Sequence, residues 1–173
     1  MKQTSRAALF AIAAFGASGT ALAGPHHHEH GVVRLDVAVD GQQLSVLLQS
    51  PLDSFVGFER APRNDAEKKR AEDALRLLRE GTPVLTPNAE AQCTLQQATV
   101  NAPVLEGKSK PKDGHADLEA EYQFTCASPE QLKQLKTGFY ANFKHTKKVE
   151  VQLAGPKGQR KVSLSKAQAT VQF

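Results

Sequence analysis

The sequence lacks the features that mark most enzymes and membrane proteins. It has no G-x-S-x-G or H-E-x-x-H motif, no glycine-rich phosphate loop, and no spacing of serine, histidine and aspartate typical of a catalytic triad. Beyond residue 23, no stretch is apolar enough to span a bilayer. We therefore expect a protein that is not an enzyme and that has no membrane span.

A strong excess of charge is also missing. The chain has 22 Lys and Arg against 18 Asp and Glu. Residues 1–23 hold two of the basic residues, Lys2 and Arg6, and no acidic residue, which leaves a formal charge of +2 on the remainder. The basic residues are also spread along the chain, so a nucleic-acid partner is not expected.

Residues 1–23 have the pattern of a secretory signal peptide. Lys2 and Arg6 precede an apolar run from 7 to 17, which is too short to span a membrane, and Ala21-Leu22-Ala23 forms an A-x-A cleavage site. We expect an exported chain with a flexible His-rich tip over residues 24–31. Residues 32–173 then form a single α+β domain, a suitable length for one core.

Cysteine is scarce, with Cys93 and Cys126 as the two copies. An even number in an exported chain favours one disulfide. Metal ligation and free thiols are the alternatives. Both cysteines lie on the apolar side of a predicted strand, and two such strands paired antiparallel could be bridged by the two side chains.

Histidine is concentrated at the predicted new N-terminus. Four of the six histidines stand in a run of five residues: His26, His27, His28, Glu29 and His30. Imidazoles and carboxylates are ligands for Zn²⁺, and the same donors accept other divalent transition metals. We interpret the run as a metal-binding segment. A polar tail or the remnant of an expression tag is the alternative.

Alternating apolar and polar residues predict several strands. A hairpin turns at Asp40-Gly41, and the residues from His115 to Cys126 alternate strictly. Capping residues and apolar spacing predict two helices, Asn64–Glu80 and Ser128–Phe143. The expected fold is α+β, with a mainly antiparallel sheet of about seven strands, two helices and one disulfide.

His115 and Asp117 form an H-x-D pair. Side chains at positions i and i+2 of a strand point to the same side, so the two can share a metal ion and can join the ligands of the N-terminal tip. The alternative is a solvated strand face. Glu59, Arg60 and Arg63 are interpreted as a structural ion-pair cluster or a partner contact, and His145 as an ordinary surface residue.

Several segments together resemble one known family. They are the His-rich N-terminal segment, Gly57-Phe58-Glu59, Ala61-Pro62-Arg63, Ala91-x-Cys93, His115-Ala116-Asp117-Leu118, Glu121-Tyr122-x-Phe124-x-Cys126 and Val149-Glu150-Val151-Gln152-Leu153. In this order they resemble the ZrgA-type family of zinc-regulated periplasmic proteins.

The resemblance implies a periplasmic zinc-binding accessory protein that captures or buffers zinc and supports its uptake. Its implied partners are the metal ion and a zinc-uptake system or another envelope protein. Family members typically carry a long tract rich in His, Asp and Glu before the motif that starts at His115. Here that loop holds Lys108, Lys110 and Lys112 instead. The alternative function is a non-metal envelope interaction module with an incidental His-rich tail.

Overall fold

The structure is a computed structural model that describes residues 29–112 and 114–173. The predicted signal peptide, 1–23, and His26, His27 and His28 of the predicted tip lie outside the described residues. Glu29 and His30 lie inside them.

Two sheets contain the strands of the described chain. The larger sheet is built from β1 (Val32–Asp40), β2 (Gln43–Pro51), β4 (Cys93–Asn101), β5 (Asp117–Cys126), β7 (Lys148–Gly155) and β8 (Gly158–Leu164). The smaller sheet is built from β3 (Leu85–Pro87), β6 (Gln134–Thr137) and β9 (Thr170–Gln172). The larger sheet has the order β4-β5-β2-β1-β7-β8, and the smaller one the order β3-β6-β9. All neighbours are antiparallel except β1 and β7, which are parallel.

The alternation read from the sequence explains which face of the larger sheet is buried. Along β5, Leu118, Tyr122 and Phe124 are buried, whereas Glu119 and Glu121 are exposed. Strands β1, β2 and β7 follow the same rule on the same face. Their apolar residues belong to one core cluster that extends to the smaller sheet and the helices. Burying one face of a sheet also fixes its register, because a one-residue slip would reverse every side chain.

The first predicted helix is confirmed. Three α-helices are described: α1 (Asp53–Val56), α2 (Asp65–Glu80) and α3 (Phe139–Asn142). Asn64 is the N-cap of α2, and its side chain accepts a hydrogen bond of 2.9 Å from the Glu67 N–H. Helix α2 ends at Gly81, the expected residue. No helix in the described residues is long and apolar enough to cross a membrane.

The second predicted helix, Ser128–Phe143, is wrong. The segment forms a 3₁₀ turn at Pro129–Gln131, then strand β6, then the four residues of α3. The capping signal at Ser128 and Pro129 therefore starts only a single turn. Strand β6 gains its partners from both sides, since it pairs with β3 and β9. Gly138 donates a 2.9 Å hydrogen bond to the Val84 carbonyl. Tertiary pairing outweighs local helix propensity here.

The expected α+β class and the disulfide are both confirmed. Cys93 and Cys126 lie directly opposite each other in the antiparallel ladder of β4 and β5, and their sulfur atoms are bonded. The described residues form nine strands rather than about seven, and β6 (Gln134–Thr137) is the one that the sequence assigned to a helix.

Candidate metal centre

Three potential metal ligands from distant parts of the chain meet at one end of the larger sheet. His30 stands just before β1, Glu59 follows α1, and His115 stands just before β5. The sheet explains the meeting, because β1 begins where its antiparallel neighbour β2 ends, and Pro51 at that end of β2 pairs with Asp117 at the start of β5. One ligand atom from each of the three residues lies within 4.8 Å of the others.

The carboxylate of Glu59 lies between the two imidazoles. Its Oε2 atom is 2.9 Å from Nδ1 of His115, a hydrogen-bonding distance. Its Oε1 atom is 3.8 Å from Nδ1 of His30. The two rings face each other edge to face, with their centroids 6.1 Å apart and their planes at 64°. The three groups therefore form one compact cluster of two nitrogen donors and one oxygen donor.

The side chain of Glu59 is much less exposed than those of the two histidines. Its side chain is 7% exposed, compared with 55% for His30 and 45% for His115. Its Oε1 atom is buried and has no hydrogen-bond partner. A buried carboxylate oxygen without a partner is costly, and a bound cation would satisfy it. The two imidazoles lie on the solvent side, where an ion can enter and leave.

Asp53 adds a second carboxylate beside His30. Its Oδ2 atom is 2.9 Å from Nδ1 of His30, and its side chain is 18% exposed. Its other oxygen, Oδ1, is buried without a hydrogen-bond partner. Asp53 is not one of the three residues whose ligand atoms cluster within 4.8 Å. It therefore contacts the centre through His30.

Helix α1, which carries Asp53, is tied to three other segments. The Leu52 N–H donates to the Ala116 carbonyl at 2.8 Å, next to His115. Thr146 donates through its hydroxyl to the Ser54 carbonyl at 3.1 Å, and Arg70 donates through Nη1 to the Val56 carbonyl at 3.1 Å. These bonds hold α1 in place relative to both histidines.

Two glycines allow the ligand-bearing segments to pack against residues 145–148. Gly31 has φ +84° and its carbonyl accepts hydrogen bonds from the N–H groups of Lys147 and Lys148, at 2.8 and 3.1 Å. Gly57 has φ +82°, and a Cβ added there would lie 2.5 Å from Nε2 of His145. Both positions combine a left-handed backbone with a close approach, which only glycine allows without strain.

His145 is half-buried, which corrects its interpretation as an ordinary surface residue. Its Nε2 atom is buried against Gly57 and has no hydrogen-bond partner. Burial, together with the positive charges of Lys144 and Arg70, lowers the pKa of His145. The neutral ring therefore packs behind the segment that carries Asp53 and Glu59.

Of the predicted site residues, the structure brings His30 and His115 together. Asp117 opens strand β5 opposite Pro51 and is outside the three-residue cluster. Glu29 is also outside the cluster, with its carboxylate 4.0 Å from Nη2 of Arg34. His26, His27 and His28 lie outside the described residues, so their metal-binding role stays a prediction.

The sequence interpretation missed Glu59 and Asp53 as members of the site. The expected ion-pair cluster of Glu59, Arg60 and Arg63 is wrong in its acidic member, because Arg60 pairs with Glu67 instead, through two hydrogen bonds of 2.7 and 2.9 Å. Arg63 donates its backbone N–H to the same Glu67 carboxylate at 2.7 Å. Glu59 turns the other way, toward the histidines. The two carboxylates could have been found only from the sheet topology, because Asp53 and Glu59 follow β2, whose end pairs with the start of β5.

A comparison with known protein families gives a match over most of the chain. Residues 27–173 match the model of the family described as ZrgA family zinc uptake protein. The chain belongs to this family. The resemblance noted from the sequence motifs is thereby confirmed, and the matched range includes His30, Glu59 and His115. A comparison with curated proteins gives no match.

Proposed function

We propose that this ZrgA family protein binds Zn²⁺ in the periplasm, at the centre formed by His30, Glu59 and His115, and so supports zinc uptake. One observation carries the proposal. The Glu59 side chain is 7% exposed, and its unpartnered Oε1 atom lies 3.8 Å from Nδ1 of His30 while Oε2 lies 2.9 Å from Nδ1 of His115. Such an arrangement costs stability without a cation and gains it with one. The role is binding rather than catalysis.

The donor set suits zinc that has to be passed on. Two imidazole nitrogens and one carboxylate oxygen are ligands that Zn²⁺ accepts in a tetrahedral arrangement. Three protein ligands leave a fourth position for water or for a group from an acceptor. Because both histidines are about half exposed, an acceptor can reach the ion without unfolding the site. We expect capture and release rather than permanent storage.

Two features support a periplasmic location. The disulfide between Cys93 and Cys126 is of the kind that persists in oxidising compartments. Residues 1–23 have the pattern of a secretory signal. His26, His27 and His28 come within four residues of His30 in the sequence. We propose that they add weaker, exchangeable sites that raise the local concentration of zinc near the centre.

The proposal is tested by calorimetric titration of the exported chain, residues 24–173, with Zn²⁺. We expect one step of high affinity in the wild type, and a loss of at least about tenfold in affinity in Glu59→Gln, a factor typical even of ligand-supporting residues. Glutamine keeps the shape of the side chain and an acceptor for His115 but removes the charge. Glu121→Gln on the exposed face of β5 is the matched control. Equal affinities in Glu59→Gln and the wild type would contradict the proposal.

A further inference from the structure

We infer that strand β4 is a self-association surface, which pairs antiparallel with β4 of a second copy of this chain about a two-fold axis at Thr99. The larger sheets of the two copies then join edge to edge. This inference does not rest on the proposed zinc centre, because the residues that carry it lie along the edge of the sheet and hold no metal ligand.

Three of the four sheet edges in the described residues have features that discourage pairing with another strand. Strand β8 carries Arg160 and Lys161, and the Arg160 guanidinium donates to the Gln172 carbonyl. Strands β3 and β9 have three residues each, and β3 ends in Pro87. Charges, proline and short length are the usual protection of edge strands. Strand β4, the fourth edge, has nine residues and contains neither a charged residue nor a proline.

The backbone of β4 offers hydrogen bonds at this edge. The Cys126 N–H donates to the Gln42 carbonyl at 2.8 Å, on the β2 side of β5. Because bonding direction alternates along an antiparallel strand, the other even-numbered residues of β5 also bond toward β2. The β4 residues opposite two of them, Ala98 and Val100, therefore direct their N–H and C=O groups outward. No described backbone group bonds to either residue on that side.

A two-fold axis at Thr99 satisfies these groups. It places Ala98 opposite Val100 of the second copy, and the reverse, so that each of the two pairs exchanges both of its hydrogen bonds. Thr99 faces its own copy in the non-hydrogen-bonded pair between them. Around a two-fold axis a charged side chain would meet its own charge, which destabilises a cross-strand pair. The absence of charge from β4 therefore suits pairing with itself.

Pairing also covers apolar surface that β4 leaves open. The core-facing residues of the neighbouring strand β5 are buried, whereas those of β4 are only half-buried. The half-buried residues are Cys93, Leu95, Ala98 and Val100. Ala98 and Val100 lie within the paired segment, so a second strand removes part of their surface from water.

A bulge limits the length of the pairing segment. The register of β4 against β5 shifts between Leu95 and Gln97, and Nε2 of Gln96 donates to Oγ1 of Thr94 at 2.6 Å. The regular edge is thus the segment 97–101. Because the interface built on so short a segment is small, we expect a reversible dimer that depends on concentration rather than a permanent one.

The test is the association state of residues 24–173 in chelator, where no metal ion bridges two chains. We expect sedimentation velocity to show a monomer–dimer equilibrium in the wild type. Thr99→Lys places two ammonium groups opposite each other at the axis and should raise the dissociation constant by about tenfold or more. Ala38→Lys is the matched control. It adds the same charge at an exposed position of β1, an inner strand, and should leave the equilibrium unchanged.

The register is tested by cross-linking. Cα atoms of a non-hydrogen-bonded pair lie about 4.5 Å apart, within the range that a disulfide spans. Thr99→Cys should therefore form a covalent dimer on mild oxidation, while Ala38→Cys should not. The absence of this cross-link overturns the inference.

A wild type that stays monomeric in chelator also overturns the inference, as does a dimer that Thr99→Lys leaves intact. If circular dichroism shows that Thr99→Lys does not fold, the association of the wild type and the Thr99→Cys cross-link still decide. A monomeric protein that binds zinc would leave the proposed function standing, and a dimer that binds no zinc would leave this inference standing.

Discussion

Nδ1 of His115 lies 2.9 Å from Oε2 of Glu59, although 56 residues separate the two in the sequence. The contact exists because the end of β2 pairs with the start of β5. It joins a residue that sequence motifs single out as a metal ligand to one that they assign to an ion pair. The candidate metal centre is thus a product of sheet topology, which decides which carboxylates lie beside the histidines.

The first prediction concerns the stability of the metal-free protein. Glu59→Gln should leave the thermal midpoint unchanged or raise it, because the variant no longer holds a carboxylate with an unpartnered oxygen in a buried position. The gain is limited to about 1–3 kcal/mol, the cost of one unsatisfied buried group. The measurement is thermal unfolding in chelator, with Glu121→Gln as the control. A clear fall in the midpoint would show that the charge of Glu59 supports the fold itself.

The second prediction concerns the packing behind the site. Gly57→Ala should lower the free energy of unfolding by more than Gly107→Ala does. Both glycines have positive φ, +82° and +70°, but a Cβ meets the His145 ring only at Gly57, while nothing lies within 4 Å of Gly107. The conformational part alone is about 1–3 kcal/mol. Urea denaturation of the two variants measures the difference.

The same pair of variants separates packing from backbone strain. Adding His145→Ala to Gly57→Ala should recover the part of the loss that comes from the ring but not the part that comes from φ. Gly57→Ala should also weaken zinc binding, since Glu59 follows two residues later. Equal losses in Gly57→Ala and Gly107→Ala would mean that the contact with His145 contributes nothing.

The third prediction is the acid sensitivity of the Arg60–Glu67 pair. The hydrogen bond from the Arg60 side chain, followed by that from the Arg63 backbone, lowers the pKa of Glu67 to about 2. A carboxyl whose pKa is lower in the folded than in the unfolded state makes its full contribution to stability at any pH above the pKa that it has in the unfolded chain. That contribution is lost as the pH falls from about 4.3 toward 2.

Glu67→Gln should therefore reduce stability at neutral pH and flatten its dependence on pH across this window. Unfolding in urea at a series of pH values measures both effects. Glu72→Gln, on the same helix, is the control, because it lacks the pairing described for Glu67. A wild-type and a Glu67→Gln profile that run parallel between these pH values would rule out the pair as a source of acid sensitivity.

The fourth prediction concerns the disulfide. Replacing Cys93 and Cys126 with alanine should cost about 3–4 kcal/mol of stability under the chain-entropy model for the 33-residue separation. Zinc affinity should stay unchanged, because the disulfide closes the end of β5 opposite to His115. Denaturation and zinc titration of the same sample test the two parts. A loss of zinc binding in a variant that is still folded would contradict the expectation that the disulfide and the metal centre are independent.

Much of the fold could be predicted from the sequence because its strands bury one face. The alternation along β5, the cap at Asn64 and the stop at Gly81 are local signals that the structure confirms. Strand β6 could not be predicted in the same way. Its local signals resemble those of a helix, and the strands that recruit it, β3 and β9, lie about 50 and 35 residues away in the sequence.

The site was predictable in its histidines but not in its carboxylates. His30 stands out because it belongs to the histidine run, and His115 because it forms an H-x-D pair with Asp117. Glu59 and Asp53 are two among 18 acidic residues, and nothing in their local sequence distinguishes a buried carboxylate from an exposed one. Arg60, the neighbour of Glu59, instead suggested that Glu59 belongs to an ion-pair cluster. Only the register of β2 against β5 identifies the carboxylates, and register is a property of the folded sheet.

The central claim is that the high-affinity zinc site lies in the folded centre rather than in the histidine run before it. Zinc titration calorimetry of two multiple variants of residues 24–173 tests this claim most directly. In the variant with His30→Ala and His115→Ala, the step of highest affinity should disappear. In the variant with His26, His27 and His28 replaced by alanine, it should remain while weaker binding decreases. The reverse result, with affinity lost only when the three N-terminal histidines are removed, would contradict the account.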